Sequence, residues 1–264
     1  MKKLKIFLLG GTKDSTDIIK HLKLNYDTYI LTTTTTEYGA NLAKKSGSDE
    51  TIAKPLLIDE IIKIINNSDF DLLIDATHPF ASHITKTSIE VSKICKIPLI
   101  RFERPALTFE NIDTSRLVYA DSFEMAGKLI AEKNPEDNVL HFAGANTMEE
   151  VLKNVSVKHF YTRILKVKKS IEKCKKLKIP EDHIIPMNGV ASLKENIRLI
   201  EKHNAKVIIT KESGEIGGVI EKIQAANEKD ITIIMIQRPE IKELNKKLIV
   251  SNLDELDEKL KNIN

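Results

Sequence analysis

Short apolar runs alternate with longer stretches of helical period along almost the whole chain, and most runs end in glycine or other turn-forming residues. Parallel strands need a crossover between them, usually a helix, so this alternation predicts an α/β fold with parallel sheets. The pattern is sharpest near the amino terminus. Lys5-Ile6-Phe7-Leu8-Leu9 leads into Gly10-Gly11-Thr12-Lys13-Asp14-Ser15, and apolar positions 18, 19 and 22 then share one helix face. Strand, glycine turn, helix is the arrangement in which backbone N–H groups meet an anion at the positive end of a helix, and a pyrophosphate is the obvious anion. Gly10, Gly11, Thr12 and Ser15 are the candidate phosphate holders, with Lys13 beside them. The dinucleotide fingerprint has a third glycine where this chain has Ser15, so a tight turn without a ligand stands as the alternative.

The next strand, Asp27–Leu31, ends in the threonines Thr32 to Thr36. A dinucleotide site commonly places an acid here for the ribose hydroxyls, and none is present. Thr32 and its neighbours read either as partners of a ribose or 2′-phosphate or as a β-prone strand end, and NADH and NADPH are not separated. Phe70–Asp75 reads as a central strand running into Ala76-Thr77-His78-Pro79, with a helix to about Lys96. Pro79 suits a first helical turn, which makes Thr77 the candidate cap. Ile97–Phe102 is the following strand.

Residues 106–116 break the alternation, so one domain is expected over 1–115 and a second over 116–264. The second half repeats the architecture: Val139–Phe142 before Gly144, Phe160–Leu165, and Val207–Thr210 before Lys211-Glu212-Ser213-Gly214 and Gly217-Gly218. The charged tail 254–261 reads as a surface helix.

Composition narrows the function classes. Net charge is +3, Trp is absent and aromatics are 5%, which argues against nucleic-acid binding. No apolar run reaches the ~18 residues of a membrane span. Cys95 and Cys174 lie far apart and read as reduced thiols, and a cytoplasmic setting is expected. His78 and His83 lack an acid to complete a metal set, and no nucleophile elbow is present.

The motifs Leu-Leu-Gly-Gly-Thr (8–12), Asp-Ala-Thr-His-Pro-Phe-Ala (75–81), Arg-Phe-Glu-Arg-Pro (101–105), Thr-Lys-Glu-Ser-Gly (210–214), Gly-Gly (217–218), Glu-Lys-Ile-Gln-Ala-Ala (221–226) and Arg-Pro (238–239) occur in order across nearly the whole chain. Together they resemble the precorrin-6A reductases of corrin biosynthesis. The chain departs from that family's usual pattern at Ala106-Leu107, Ala143-Gly144-Ala145 and Gly189-Val190-Ala191-Ser192.

The resemblance implies two Rossmann-like domains with NADH or NADPH and a tetrapyrrole in a cleft between them, and reduction of one macrocycle double bond in precorrin-6A or its cobalt complex. It implies cofactor contact by Thr77 and Pro79 beside the first turn, and by Lys211, Ser213, Gly214, Gly217 and Gly218 in the second half. The substrate's carboxylates would meet Arg101, Arg104, Arg163 and Arg238, all in or just after strands. His78 is the candidate donor of the proton that accompanies hydride transfer. A monomer is the working expectation, with no metal. A sugar-nucleotide enzyme or regulator with the same loops, and a non-enzymatic tetrapyrrole carrier, are the competing readings.

Overall fold

A computed structural model describes residues 3–133, 135–214 and 217–261 of the chain. The chain forms two compact units, 1–105 with 239–264, and 106–238. Their strands are Leu4–Leu9 (β1), Thr28–Thr34 (β2), Glu50–Ala53 (β3), Leu72–Asp75 (β4), Leu99–Phe102 (β5), Leu117–Ala120 (β6), Asn138–His141 (β7), Phe160–Ile164 (β8), Ile184–Pro186 (β9), Ala205–Lys211 (β10), Thr232–Ile236 (β11) and Ile249–Val250 (β12). The helices are Lys13–Asn25 (α1), Glu37–Lys45 (α2), Ile58–Ser68 (α3), Ser82–Cys95 (α4), Phe123–Lys133 (α5), Met148–Leu152 (α6), Lys168–Lys176 (α7), Leu193–Lys202 (α8), Val219–Glu228 (α9) and Leu253–Lys261 (α10).

The first unit holds a sheet in the order β12-β5-β4-β1-β2-β3 and the second a sheet in the order β6-β11-β10-β7-β8-β9. Every recorded pairing is parallel. Parallel strands are covered on both faces and read as continuous apolar runs, and Ile6 to Leu9 and Val207 to Ile209 are correspondingly buried. The two orders are the same pattern written twice. In each sheet the strand direction of travel reverses once, between β1 and β4 and between β7 and β10, and ligands of such sheets gather at the carboxyl ends beside that switch point.

The sixth strand of each sheet comes from the other half of the chain. The strand after β5 joins β11 in the second sheet, and the strand after β11 joins β5 in the first. This corrects the second domain expected over 116–264: its last residues complete the first unit. Glu103 N–H donates to Val250 O at 2.9 Å. Leu256 and Leu260, both 0% exposed, pack with Ile18, Leu22, Ile100 and Phe102. The Asp257 carboxylate accepts from Tyr26 Oη and His21 Nε2, each at 2.8 Å. The tail is therefore a surface helix, as expected, whose leucine face closes the core of the first unit.

Candidate functional site

At the first switch point the sequence dictates a sharp turn. Gly11 sits at φ +100°, a region that side-chained residues avoid. A Cβ on Gly10 would lie 2.9 Å from Thr32 Cγ2 and 3.1 Å from Ser15 Oγ, so only glycine allows β1, β2 and α1 to approach this closely. Thr12 caps α1: its Oγ1 accepts from Ser15 N–H at 3.1 Å and donates to Ala76 O at 2.7 Å, tying the glycine turn to the end of β4. Lys13 is exposed at the first helical position.

Ser15 and Thr32 differ from their expected roles. Ser15 is buried, and its Oγ accepts from Gly11 N–H at 3.1 Å and Thr12 N–H at 3.2 Å. The serine that replaces the third glycine thus satisfies two of the turn's own donors. Thr32 is fully buried, and its hydroxyl pairs with Ser48 Oγ at 2.7 Å; it supports Gly10 from below instead of facing a ligand.

The second loop of this edge follows β4. Helix α4 begins at Ser82 after Ala81, which provides no side-chain cap, so Thr77 is not the helix cap. Its hydroxyl donates to Asp75 Oδ1 at 2.7 Å and accepts from Arg101 Nη1 at 3.2 Å. Pro79 and Phe80 form the turn before the helix, closed by Ala81 N–H on His78 O at 2.8 Å. Phe80 N–H donates to His78 Nδ1 at 3.2 Å. A neutral ring in that position carries its proton on Nε2.

Arg101 was expected at the substrate, and the structure places it elsewhere. It is 1% exposed, with Nη1 2.9 Å from Asp75 Oδ1 and Nε 3.1 Å from Glu103 Oε2. Registry explains the pair, because Asp75 and Arg101 lie side by side on β4 and β5. Arg101 fixes the root of the Thr77–His78 loop. Arg104 is exposed and ion-paired with Asp14 and Asp17 in the first turns of α1, at 2.5 and 3.5 Å, which places it on the glycine-turn side.

The second unit assembles the remaining candidates at the carboxyl ends of β7 to β11. Arg163, near the end of β8, sets its guanidinium 5.1 Å from the centre of the Phe142 ring. Burial pulls its proton affinity below the usual arginine range. Lys211 ends β10, and burial lowers it too. Ser213 N–H donates to Lys211 O at 2.8 Å and Gly217 N–H to Gly214 O at 3.0 Å. Gly214 and Gly218 hold φ +74° and +62°, and a Cβ on Gly218 would lie 2.2 Å from Val190 Cγ1. Arg238 follows β11, with Nε donating to Glu212 O at 3.2 Å, and thereby braces the same turn.

Sequence reading missed two groups here. Lys222, buried in α9, lay unmarked inside a quoted motif. His141, the last residue of β7, is fully buried between Phe123 and Phe160, with its nitrogens on Thr162 Oγ1 and Thr147 Oγ1 at 3.2 and 3.0 Å. Its period within an apolar strand gave the only signal. Among the described residues no group of His, Cys, Asp or Glu is placed to hold a metal, and no helix is long and apolar enough to cross a membrane.

Two parallel sheets of this order, each with a glycine turn at its switch point, define a doubly wound, Rossmann-like α/β protein. The family follows from comparison with known proteins. The chain belongs to the family described as precorrin-6x reductase CbiJ/CobK, whose model matches residues 5–261, and it is therefore an oxidoreductase of corrin biosynthesis. It is similar to cobalt-precorrin-6A reductases of Methanocaldococcus jannaschii (37% identical, covering 90% of this chain and 92% of that one) and Methanococcus maripaludis (35% identical, 98% and 100%). The one from Methanothermobacter thermautotrophicus is 34% identical over 97% of this chain and 83% of that one. A solved structure of CobK precorrin-6A reductase superposes with a TM-score of 0.76 over 98% of this chain and 97% of that chain, at 17% identity, and shares the fold.

Proposed function

We propose that this chain reduces one ring double bond of precorrin-6A or cobalt-precorrin-6A with NADH or NADPH. The observation that carries the reading is the glycine turn of the first unit. Gly11 at positive φ is exposed, and the nearest atom to a Cβ built there is Thr34 Cβ at 3.8 Å, so backbone is open to a close approach. The first N–H groups of a helix have no intrahelical acceptor. With Ser15 N–H taken by Thr12 Oγ1, the N–H groups of Lys13 and Asp14 and the Lys13 ammonium would meet the cofactor's pyrophosphate, with Gly10 and Thr12 shaping the turn and Ser15 and Thr32 supporting it. When bound, a reduced nicotinamide supplies the hydride. Thr77 and Pro79 hold the loop that presents His78, and His78 in its imidazolium form, with Nδ1 protonated and its contact from Phe80 N–H given up, donates the accompanying proton from Nε2 and returns to the neutral ring. Arg163 and Arg238 of the second unit are the arginines proposed for substrate carboxylates, with Lys211, Ser213, Gly214, Gly217 and Gly218 forming the turn beside them.

The competing carrier and sugar-nucleotide readings make a different demand. Purified protein mixed with NADH or NADPH is followed by the absorbance of the reduced nicotinamide, with and without precorrin-6A and its cobalt complex. Oxidation that requires the tetrapyrrole is the expected result. A tetrapyrrole that binds without cofactor oxidation, with either nucleotide, would leave a carrier and overturn the reading.

A further inference from the structure

In the turn after β1, two successive backbone N–H groups converge on a single side-chain atom. Gly11 at φ +100° and Thr12 in extended backbone both donate to Ser15 Oγ, at 3.1 and 3.2 Å. Successive N–H groups arranged in this way form a nest, a concavity suited to an oxyanion oxygen. Here the occupant is the chain's own hydroxyl. The same Oγ donates to Thr12 O at 2.7 Å. Its one proton and both lone pairs are engaged, and at 1% exposure the Ser15 side chain has nothing left for a ligand.

The donors of the turn can be followed one by one. Ser15 Oγ holds those of Gly11 and Thr12, and Thr12 Oγ1 holds that of Ser15 at 3.1 Å. Gly10 N–H lies in the sheet, on Thr33 O at 2.9 Å. Lys13 and Asp14 are the positions left to face a pyrophosphate. With a glycine at position 15, as in the three-glycine fingerprint, no hydroxyl would fill the nest, and its two donors would fall to a phosphate oxygen or to water. Gly10 and Gly11 put no side chain over it, and Gly11 is exposed.

We propose that Ser15 sets the cofactor affinity of this turn by occupying the seat that a phosphate oxygen would otherwise take. The hydroxyl keeps the empty turn formed and competes with the pyrophosphate. The nucleotide is then held by fewer backbone donors, and is released more readily, than at a turn with the third glycine. The proposal rests on the functional reading above and names the residue that tunes its cofactor end. A hydroxyl that only braced the turn would strengthen cofactor binding, whereas a competing one weakens it.

Calorimetry of NADH, NADPH and ADP with the unaltered protein and with Ser15→Ala separates the two. Alanine is at home in a helix and deletes only the hydroxyl. Ser15→Ala is expected to bind each nucleotide roughly tenfold tighter, about the worth of one recovered charge-assisted hydrogen bond. The empty variant is expected to melt at a lower temperature and to show a larger upward shift on saturation. Adenosine, which has no phosphate, and uroporphyrin, a polycarboxylate porphyrin, are expected to bind both proteins alike. Equal or weaker nucleotide affinity in the variant overturns the proposal, as does a parallel change with adenosine or uroporphyrin, which marks altered packing. If Ser15→Ala fails to fold, hydrogen exchange on the unaltered protein decides. The Gly11 and Thr12 amides are expected to be protected without nucleotide and to gain nothing from it, while those of Lys13 and Asp14 gain protection. Gly11 and Thr12 amides that exchange freely in the empty protein and become protected when ADP binds would overturn the proposal. Failure of every nucleotide to bind either protein would sink the functional reading and the proposal with it; the other contrary outcomes leave that reading standing.

Discussion

Arg101 carries its charge into the interior of the first unit, and Asp75 is the group that makes it tolerable. The pair is incompletely satisfied, since Arg101 Nη2 and Asp75 Oδ2 have no hydrogen-bond partner among the described residues. Removing Asp75 leaves the buried guanidinium with only the half-buried Glu103, and breaking a buried pair typically costs about 3–5 kcal/mol. Asp75→Ala is expected to lower unfolding free energy by about that amount in a denaturant titration; a midpoint shift within error would show the guanidinium finding water. His141 gives a pH test. Burial first, with Lys211 nearby, pulls it from 6.5 to about 3. The unfolded chain then binds the extra proton, so stability is full above 6.5 and is lost as pH falls toward 3. His141→Gln is expected to flatten that acid limb, and an unchanged slope would assign it to other groups. At this scale the sequence showed residue types without their partners. Arg101 stood at a strand's carboxyl end like Arg163, and only the register of β4 on β5 separates the fully buried pair from the half-buried candidate.

The glycine turn and α1 act as one element. Thr12 and Ser15 close a reciprocal cap, and Arg104 clamps Asp14 and Asp17 behind it. Arg104→Ala is therefore expected to weaken NADH or NADPH binding severalfold, consistent with an exposed pair worth up to about 1 kcal/mol, and to leave uroporphyrin affinity unchanged. The opposite pattern would return Arg104 to the substrate. Strand–turn–helix elements were legible because strands buried on both faces are written as unbroken apolar runs and glycine marks their ends. Short or mixed elements were less so. β12 is two residues long and follows a charged stretch, so pairing with β5, not local preference, makes it a strand. Thr77 was misplaced as a cap because Pro79 fits a helix start as well as the turn that precedes one.

For the whole chain, the exchange of sixth strands means that the first unit is finished only by the last residues. Leu256 and Leu260 sit three and seven positions after Leu253, a spacing visible in the sequence but masked by the acidic and basic residues around it. Leu256→Ala removes a fully buried side chain and is expected to cost about 2–5 kcal/mol, read as a lowered melting temperature of the first unit. A shift smaller than about 1 kcal/mol would show that the leucine face of α10 adds little to the core. The site divides in the same way: glycine turns at both switch points announced themselves, while Lys222 and His141, polar residues inside apolar elements, needed the packed structure to be seen.

The central proposal is direct hydride transfer from a nicotinamide, bound at the Gly10-Gly11 turn, to the macrocycle. Holding two large reactants in register is the main contribution asked of the protein. Mass spectrometry of product formed with cofactor deuterated at the transferring carbon tests this most directly, run with each face labelled in turn. One deuterium on a ring carbon from one of the two labelled faces, retained in ordinary water, is the expected result. A product without label from either face, or turnover that requires added flavin, would contradict it.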